Sequence, residues 1–187
     1  MAQKRKNWNG LISGFSASDL VFLDESGYNT DMTRRYAYSF GGSRAVDSTP
    51  LSKPKNTTIL SSIQLNGTLH YTTFSGGTTV ERFKRYLETD LLPHLNGNSV
   101  LIMDNMKSHH ARAVKNLLDS SGIRYIYLPP YSPDLNPIEK PWSKVKAFLR
   151  KFKARTLDAL PNAIQNAFHS VTVSDCSGWF RFCGYVL

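Results

Sequence analysis

Two short apolar runs, Leu20-Val21-Phe22-Leu23 and Val100-Leu101-Ile102-Met103, each stop at an aspartate, Asp24 and Asp104. Runs of this length between polar residues fit strands buried on both faces, and such strands belong to sheets covered by helices on either side. The carboxyl end of a buried strand is where open α/β sheets place their ligands. A carboxylate is costly there unless it is paired or bound to a cation, and two unpaired ones close together would push one carboxyl strongly upward. The two aspartates therefore constrain architecture and chemistry together.

The remaining pattern fills in the sheet. Ile59 to Leu65 and Leu69 to Phe74 read as a hairpin through Asn66-Gly67, a dipeptide that tolerates positive φ. Val80, Phe83, Leu87 and Leu91 recur at helical spacing and predict an amphipathic helix over Thr79 to Leu92. A strand at Ser99 to Met103, a helix at Ala111 to Leu118 ended by Ser120-Ser121-Gly122, and a strand at Ile123 to Leu128 follow, then a helix carrying Trp142, Val145, Leu149 and Phe152. Gly41 to Pro54 reads as a long exposed loop. The order predicts an α/β fold with a mixed five-stranded sheet flanked by helices, antiparallel in the hairpin and parallel across the helical crossovers, and suggests the ribonuclease-H-like architecture.

Composition narrows the class. With 187 residues, 41% hydrophobic and 20% charged, the chain is long enough for one domain with a large core and does not read as disordered. It has two cysteines, no apolar run long enough to cross a bilayer, and a start (Met1 to Lys6) without a signal peptide's apolar stretch, so a reduced, cytoplasmic protein with no membrane partner is expected. The net charge of +9 favours a polyanionic partner. Between Lys140 and Arg155 stand seven basic residues (Lys140, Lys144, Lys146, Arg150, Lys151, Lys153, Arg155) and no acid, a pattern that fits a phosphate-binding stripe or a solvated helix face.

Glu139 is the third acid of interest, separated from Asp104 by thirty-four residues, in LPPYSPDLNPIEKPW. Read alone it also fits a capping box, with Asn136 as the cap and Pro137 as the first helical residue. Asp24 and Asp104 have a comparable reading as turn or cap acids. Glu25 and Asp134 rank lower as ligands, because strand alternation turns Glu25 to the other face and acids are ordinary in a proline-rich turn. Two Asp and one Glu without nearby cysteine suit Mg²⁺, or Mn²⁺ in its place, better than zinc, and two such ions could serve an in-line phosphodiester displacement. Lys146 and Arg150, seven and eleven residues after Glu139, would continue its face of the helix. Pro141 is expected to kink the first turn or to mark where the regular helix begins. His109 could orient a carboxylate or touch a phosphate of a polyanionic partner, or serve as a cap or surface residue; Asn105 stands similarly. Tyr131 and Trp142 could stack on a base, although aromatics beside a proline turn more often pack on the core. His169, Cys176 and Cys183 invite a zinc reading, with apolar packing the better one.

The segments FLDESGYNTDMTRRYAYSFGGSRA, VLIMDN with His109 five residues after Asp104, LPPYSPDLNPIEKPWSKVKAFLRK and the terminal WFRFCGY together resemble transposases of the Tc/mariner superfamily, in particular the bacterial "six-thirty" group of insertion sequences. The resemblance implies a ribonuclease-H-like catalytic domain over residues 20–155, a short N-terminal extension at 1–19, and a C-terminal helical segment at 156–187 packed on the same domain. It implies that Asp24, Asp104 and Glu139 bind two Mg²⁺ ions. Such enzymes cut DNA at element ends with water and join the freed 3′-hydroxyl to target DNA, typically at TA. The expected partners are DNA, a second copy in the active complex, and a helix-turn-helix recognition region, separate or fused by frameshifting; Lys140, Lys144, Lys146, Arg150, Lys151 and His109 are the expected DNA contacts. The expected setting is the bacterial cytoplasm, at the nucleoid. Where family members often have Lys after the histidine, this chain has His110.

Overall fold

The computed structural model describes residues 2–34, 36–48, 56–154, 156 and 158–185. Arg155 and the last part of the Gly41–Pro54 stretch lie outside them. The strands are β1 (Leu20–Asn29), β2 (Asn56–Gln64), β3 (Leu69–Ser75), β4 (Val100–Met103) and β5 (Arg124–Tyr127). The helices are α1 (Ala2–Ile12), α2 (Val80–Tyr86), α3 (Arg112–Ser121), α4 (Glu139–Phe152), α5 (Ala159–His169) and α6 (Val173–Phe182). The strands form one mixed sheet in the order β3-β2-β1-β4-β5, antiparallel on the β2–β3 side and parallel from β1 through β4 to β5.

Strand alternation divides the core in two. Leu20 and Phe22 of β1 and Val100 and Ile102 of β4 face a cluster built with Trp142, Val145 and Leu149 of α4, with α5 and α6, and with Trp8 and Ile12 of α1. Val21, Leu23, Leu101 and Met103 face the opposite layer, where Phe83 of α2 and Val114 and Leu118 of α3 cover them. By the same alternation Asp24 belongs to the α4 side and Glu25 to the α2–α3 side.

Three local expectations change. Asp24 does not close its strand: β1 runs on to Asn29, because β2 stays paired with it as far as Asn29↔Asn56 after β4 has stopped at Met103. The Thr79–Leu92 helix is regular only to Tyr86; a wider π-type turn covers Leu87–Leu91 and a tight 3₁₀ turn Leu92–His94. Pro93 lacks an N–H and its ring would clash with the carbonyl four residues back, so no regular ladder can pass it. The third change is α1 itself, an eleven-residue helix that buries Trp8 where no element was anticipated.

The Asn66-Gly67 turn forms as expected, with the Gly67 N–H donating to the Gln64 carbonyl at 3.1 Å. Gly67 has φ +86°, and a Cβ there would lie 3.1 Å from Val173 Cγ2 at the start of α6. Gly67→Ala is therefore expected to cost about 1–3 kcal/mol, strain and overpacking together, read as a lower midpoint in urea unfolding. A midpoint equal to the parent's would show that the hairpin and α6 separate freely.

Candidate active site

Leu23 and Met103 are the last residues paired between β1 and β4, so the next residue on each, Asp24 and Asp104, leaves the parallel pair side by side on the α4 face. Glu139 opens α4, the helix packed on that face. All three line one cleft of about 440 Å³, whose other wall is the Leu128–Pro133 segment following β5.

Asp24 is buried, 8% exposed, although it carries a carboxyl group. Its Oδ1 accepts the Glu25 N–H at 2.8 Å and its Oδ2 the indole N–H of Trp142 at 3.3 Å. Burial, with Glu139, Asp104 and Glu25 close by, pushes its carboxyl up to about 7, although the Glu25 N–H works the other way. Asp104 is treated differently. Burial would raise its carboxyl too, but His109 Nδ1 at 2.8 Å and the Met106 N–H at 2.9 Å both reach Oδ1 and hold it below the ordinary aspartate value.

His109 has no exposed surface and lies stacked on Phe83, ring centroids 4.1 Å apart. Its Nδ1 meets Asp104 and its Nε2 meets Glu25 Oε2 at 3.2 Å, so the ring bridges the two faces of the sheet edge. Burial alone would lower it, but hydrogen bonds to the two carboxylates outweigh that and hold the imidazolium up to about 9. Of the roles foreseen for His109, orienting a carboxylate is the one this geometry serves. A contact with DNA is not, because the ring has no surface to offer. Glu25 is turned away from the cleft, as alternation required, and its part in fixing His109 was not foreseen; nor was that of Trp142, which packs in the core and also bonds Asp24.

The start of α4 departs from expectation. Asn136 does not cap the helix and Glu139 does not close a capping box; the cap position is Ile138, with no side-chain hydrogen bond, and the Asn136 Oδ1 is buried without a partner. Pro141 is then the third helical residue, where its missing N–H is one that the first turn leaves free anyway, and α4 begins ahead of it without needing a kink. Tyr131 is not core packing: it is 85% exposed on the cleft wall, with φ +56°.

The basic stripe divides. Lys146 lies over the Tyr28 ring at 5.6 Å, two residues along the same strand face from Ser26 and four from Asp24. Arg150 and Lys151 line an open groove with Arg34, Tyr36 and Phe148. Lys144 is committed elsewhere: its Nζ donates to the Ser170 carbonyl at 2.7 Å and to Asp175 at 2.6 Å, tying α4 to the capping box of α6. As a DNA contact Lys144 would have to leave that cap. Lys140 sits 3.7 Å from the Phe182 ring centre and Lys153 pairs with Asp47. Asn105 is a clip, donating to the Leu128 carbonyl and meeting His110 at 3.3 Å, while His110 stacks on Tyr127. Cys176 and Cys183 are buried in the apolar cluster with α5 and β1.

The cleft's three carboxylates supply oxygen donors, buried in part and mutually repelling, which suits a hard divalent cation. Among the described residues no three His, Cys, Asp or Glu side chains are gathered so as to hold a metal ion as they stand. Both oxygens of Asp24 and Oδ1 of Asp104 are turned to protein donors, whereas Glu139 is exposed at the cleft. Among the described residues no helix is long and apolar enough to cross a membrane.

Residues 19–161 match the family model described as DDE superfamily endonuclease. The transposable element Tc1 transposase of Caenorhabditis elegans is 27% identical over 97 residues, covering 50% of this chain and 36% of that protein. The Mos1 transposase paired-end complex with left transposon end superposes with a TM-score of 0.80 at 18% identity, over 96% of this chain and 56% of that one. The mariner Mos1 paired-end complex with Mg gives a TM-score of 0.69 at 20% identity, over 97% and 57%. The chain thus spans about a third of the Tc1 protein and under three fifths of the Mos1 chains, and it shares the Mos1 fold.

Proposed function

The chain belongs to the DDE superfamily endonucleases, and from that premise we propose that it is the DNA-cleaving and strand-joining domain of an insertion-sequence transposase, with Asp24, Asp104 and Glu139 as its catalytic acids. The observation that carries this reading is that those three acids, from β1, β4 and α4, line one cleft at the end of a parallel strand pair. Asp24, Asp104 and Glu139 would hold two Mg²⁺ ions, or Mn²⁺, which supply charge stabilisation to the attacking and leaving oxygens of an in-line displacement. Solution of a Mos1 paired-end complex with Mg supports the choice of metal.

The chain's own residues do the positioning. Trp142 and the Glu25 N–H fix both oxygens of Asp24, His109 fixes Oδ1 of Asp104, and Glu139, the first residue of α4, lines the same cleft. In the first displacement water attacks phosphorus, the P–O3′ bond breaks and O3′ leaves as a hydroxyl; in the second that 3′-hydroxyl attacks a target phosphodiester, at TA by the family resemblance, the target's own P–O3′ bond breaks and its O3′ leaves as a hydroxyl carrying the proton the attacker gives up. Lys146, over the Tyr28 ring, and Arg150 and Lys151, in the open groove beside it, would bind phosphates of the strands. The further partners are a helix-turn-helix recognition region, separate or fused by frameshifting, and a second copy of the chain, in the bacterial cytoplasm at the nucleoid. The ring surface left open at Tyr36, Tyr38 and Phe40, each more than 90% exposed, supports pairing of two copies.

The test supplies the recognition region in one polypeptide with this chain and adds DNA carrying the element's ends. Cleavage leaving 3′-hydroxyl termini, followed by joining, is expected with Mg²⁺ and not with EDTA. Binding without cleavage in either Mg²⁺ or Mn²⁺ would make the chain a DNA-binding regulator instead.

A further inference from the structure

Glu139 opens a helix without a side-chain cap, so something else must fix where it stands. The chain before it forms a short turn: the Leu135 N–H donates to the Ser132 carbonyl and the Asn136 N–H to the Pro133 carbonyl, both at 3.1 Å, and the Glu139 N–H to the Asn136 carbonyl at 3.2 Å. One side of that turn is held by Tyr185, whose hydroxyl donates to the Leu135 carbonyl at 2.5 Å. The other side is held from α1. Arg5 Nη1 donates to the Tyr131 carbonyl at 3.2 Å, to Ser132 Oγ at 2.8 Å and to Asp134 Oδ1 at 3.1 Å, and Nη2 donates to Asp134 Oδ2 at 2.6 Å. Ser132 Oγ in turn reaches the Pro130 carbonyl at 3.4 Å. One guanidinium thus grips two residues that line the cleft wall, Tyr131 and Ser132, and Asp134 just beyond it, across 126 to 129 positions of sequence.

We infer that Arg5 is a positioning residue for the catalytic cleft: its fork sets the Tyr131–Asp134 wall and, through the turn that follows, the place of Glu139. This rests on the cleft being the active site. The geometry suits arginine specifically, since two parallel N–H groups meet the Asp134 carboxylate while Nη1 also reaches the loop's backbone and hydroxyl. It also accounts for Tyr131, a non-glycine residue at φ +56°, a conformation kept only where the surroundings impose it. Trp8, three residues after Arg5 and buried in the core, anchors the helix that presents the guanidinium. Arg5 and Asp134 have side chains 39% and 55% exposed, and an ion pair that open adds little to global stability, so its removal acts locally.

The test compares Arg5→Ala, Arg5→Lys and Asp134→Asn with the parent in the recognition-region fusion. Hydrogen exchange at the Leu135 and Asn136 amides is expected to speed up about 10-fold in Arg5→Ala and less in Arg5→Lys, which keeps one contact at a time, with melting temperature moved by no more than about 2 °C. Single-turnover cleavage at saturating DNA is expected to slow about 10-fold with DNA affinity unchanged. Unchanged exchange at those two amides in Arg5→Ala overturns the inference, and so does faster exchange spread over the whole of α1 and the core, which would make Arg5 a general stabiliser. A parent that binds element ends and never cuts them refutes the catalytic reading instead, while the exchange result still decides whether Arg5 sets the wall.

Discussion

Asp24→Asn is expected to abolish DNA cleavage, by at least about 10³-fold, and at the same time to make the metal-free protein more stable at pH 8. The two effects have one origin. Asp24 is held in the folded chain at about 7 against an ordinary 3.8, so folding takes up a proton there between those values. A carboxyl raised in the folded state contributes stability that is complete below about pH 4 and lost as pH rises through 7. At pH 8 the folded protein bears an ionised, buried carboxylate beside Glu139 and Asp104, a penalty of roughly 1–3 kcal/mol after solvent relaxation. Asparagine removes the charge and keeps an oxygen for the Glu25 N–H, but only one of its two polar atoms can accept, so the Trp142 indole loses its acceptor at about 1 kcal/mol. The net gain is then roughly 0–2 kcal/mol at pH 8 and turns into a small loss at pH 4. Mg²⁺ at ten times its dissociation constant should raise the parent's stability by about 1.4 kcal/mol and leave the variant unmoved. Chemical unfolding at the two pH values, with and without Mg²⁺, measures all four states. A variant less stable than the parent at pH 8, or one still stabilised by Mg²⁺, would show that Asp24 is a structural acid.

How much of this was legible depends on the distance over which each feature is decided. The buried strands and their acids were legible because four consecutive apolar residues can only be satisfied between two layers, and the acid ending each run marks where the parallel pair of β1 and β4 stops. The extension of β1 through Glu25-Ser26-Gly27 was not, since those residues have weak strand preference and pair only because β2 is already alongside. α1 left a thin signal: Trp8 and Ile12 are four apart and both buried, but Asn7, Asn9 and Gly10 around them read as loop. The failed capping box shows local chemistry overridden by tertiary contacts. Asn136 and Glu139 have the right spacing, yet Arg5 and Tyr185 hold the turn in a shape that moves the helix start to Glu139 itself. Residues that support the site were beyond the reach of pattern: His109 finds Glu25 across 84 positions, and Trp142 finds Asp24 across 118. Alternation did say that Glu25 faces away from Asp24, and a buried acid facing away from the cleft still needs a partner, which was a reason to look for a basic group on that side.

That partner carries the second large effect. His109→Ala is expected to destabilise the protein by about 3–5 kcal/mol near neutral pH, because it removes the cation between two carboxylates and leaves Glu25, with a side chain only 12% exposed, unpaired beside the core. The Glu25 Oε1 already has no hydrogen-bond partner, so the lost bond has no substitute nearby. The loss must depend on pH in one direction. His109 is held at about 9 in the folded state against an ordinary 6.5, so its contribution is complete below 6.5 and disappears as pH rises through 9. Parent stability should therefore lose up to about 3 kcal/mol between pH 6.5 and 9 through His109, while His109→Ala keeps only the shallower fall that Asp24 causes near pH 7, and the gap between them narrows. Asp104 moves oppositely: freed of the imidazolium, its carboxyl rises toward the ordinary value and its Oδ1 keeps only the Met106 N–H. Cleavage should then fail even where the variant is folded, at low temperature and pH 6.5, since Asp104 has lost the ring that orients it. Urea unfolding across pH 6 to 9.5 reads the first effect and cleavage by folded variant the second. A parallel pH slope in parent and variant would mean that His109 is neutral in the fold, and the bridge from Glu25 to Asp104 would then be a pair of ordinary hydrogen bonds with no charge held between them.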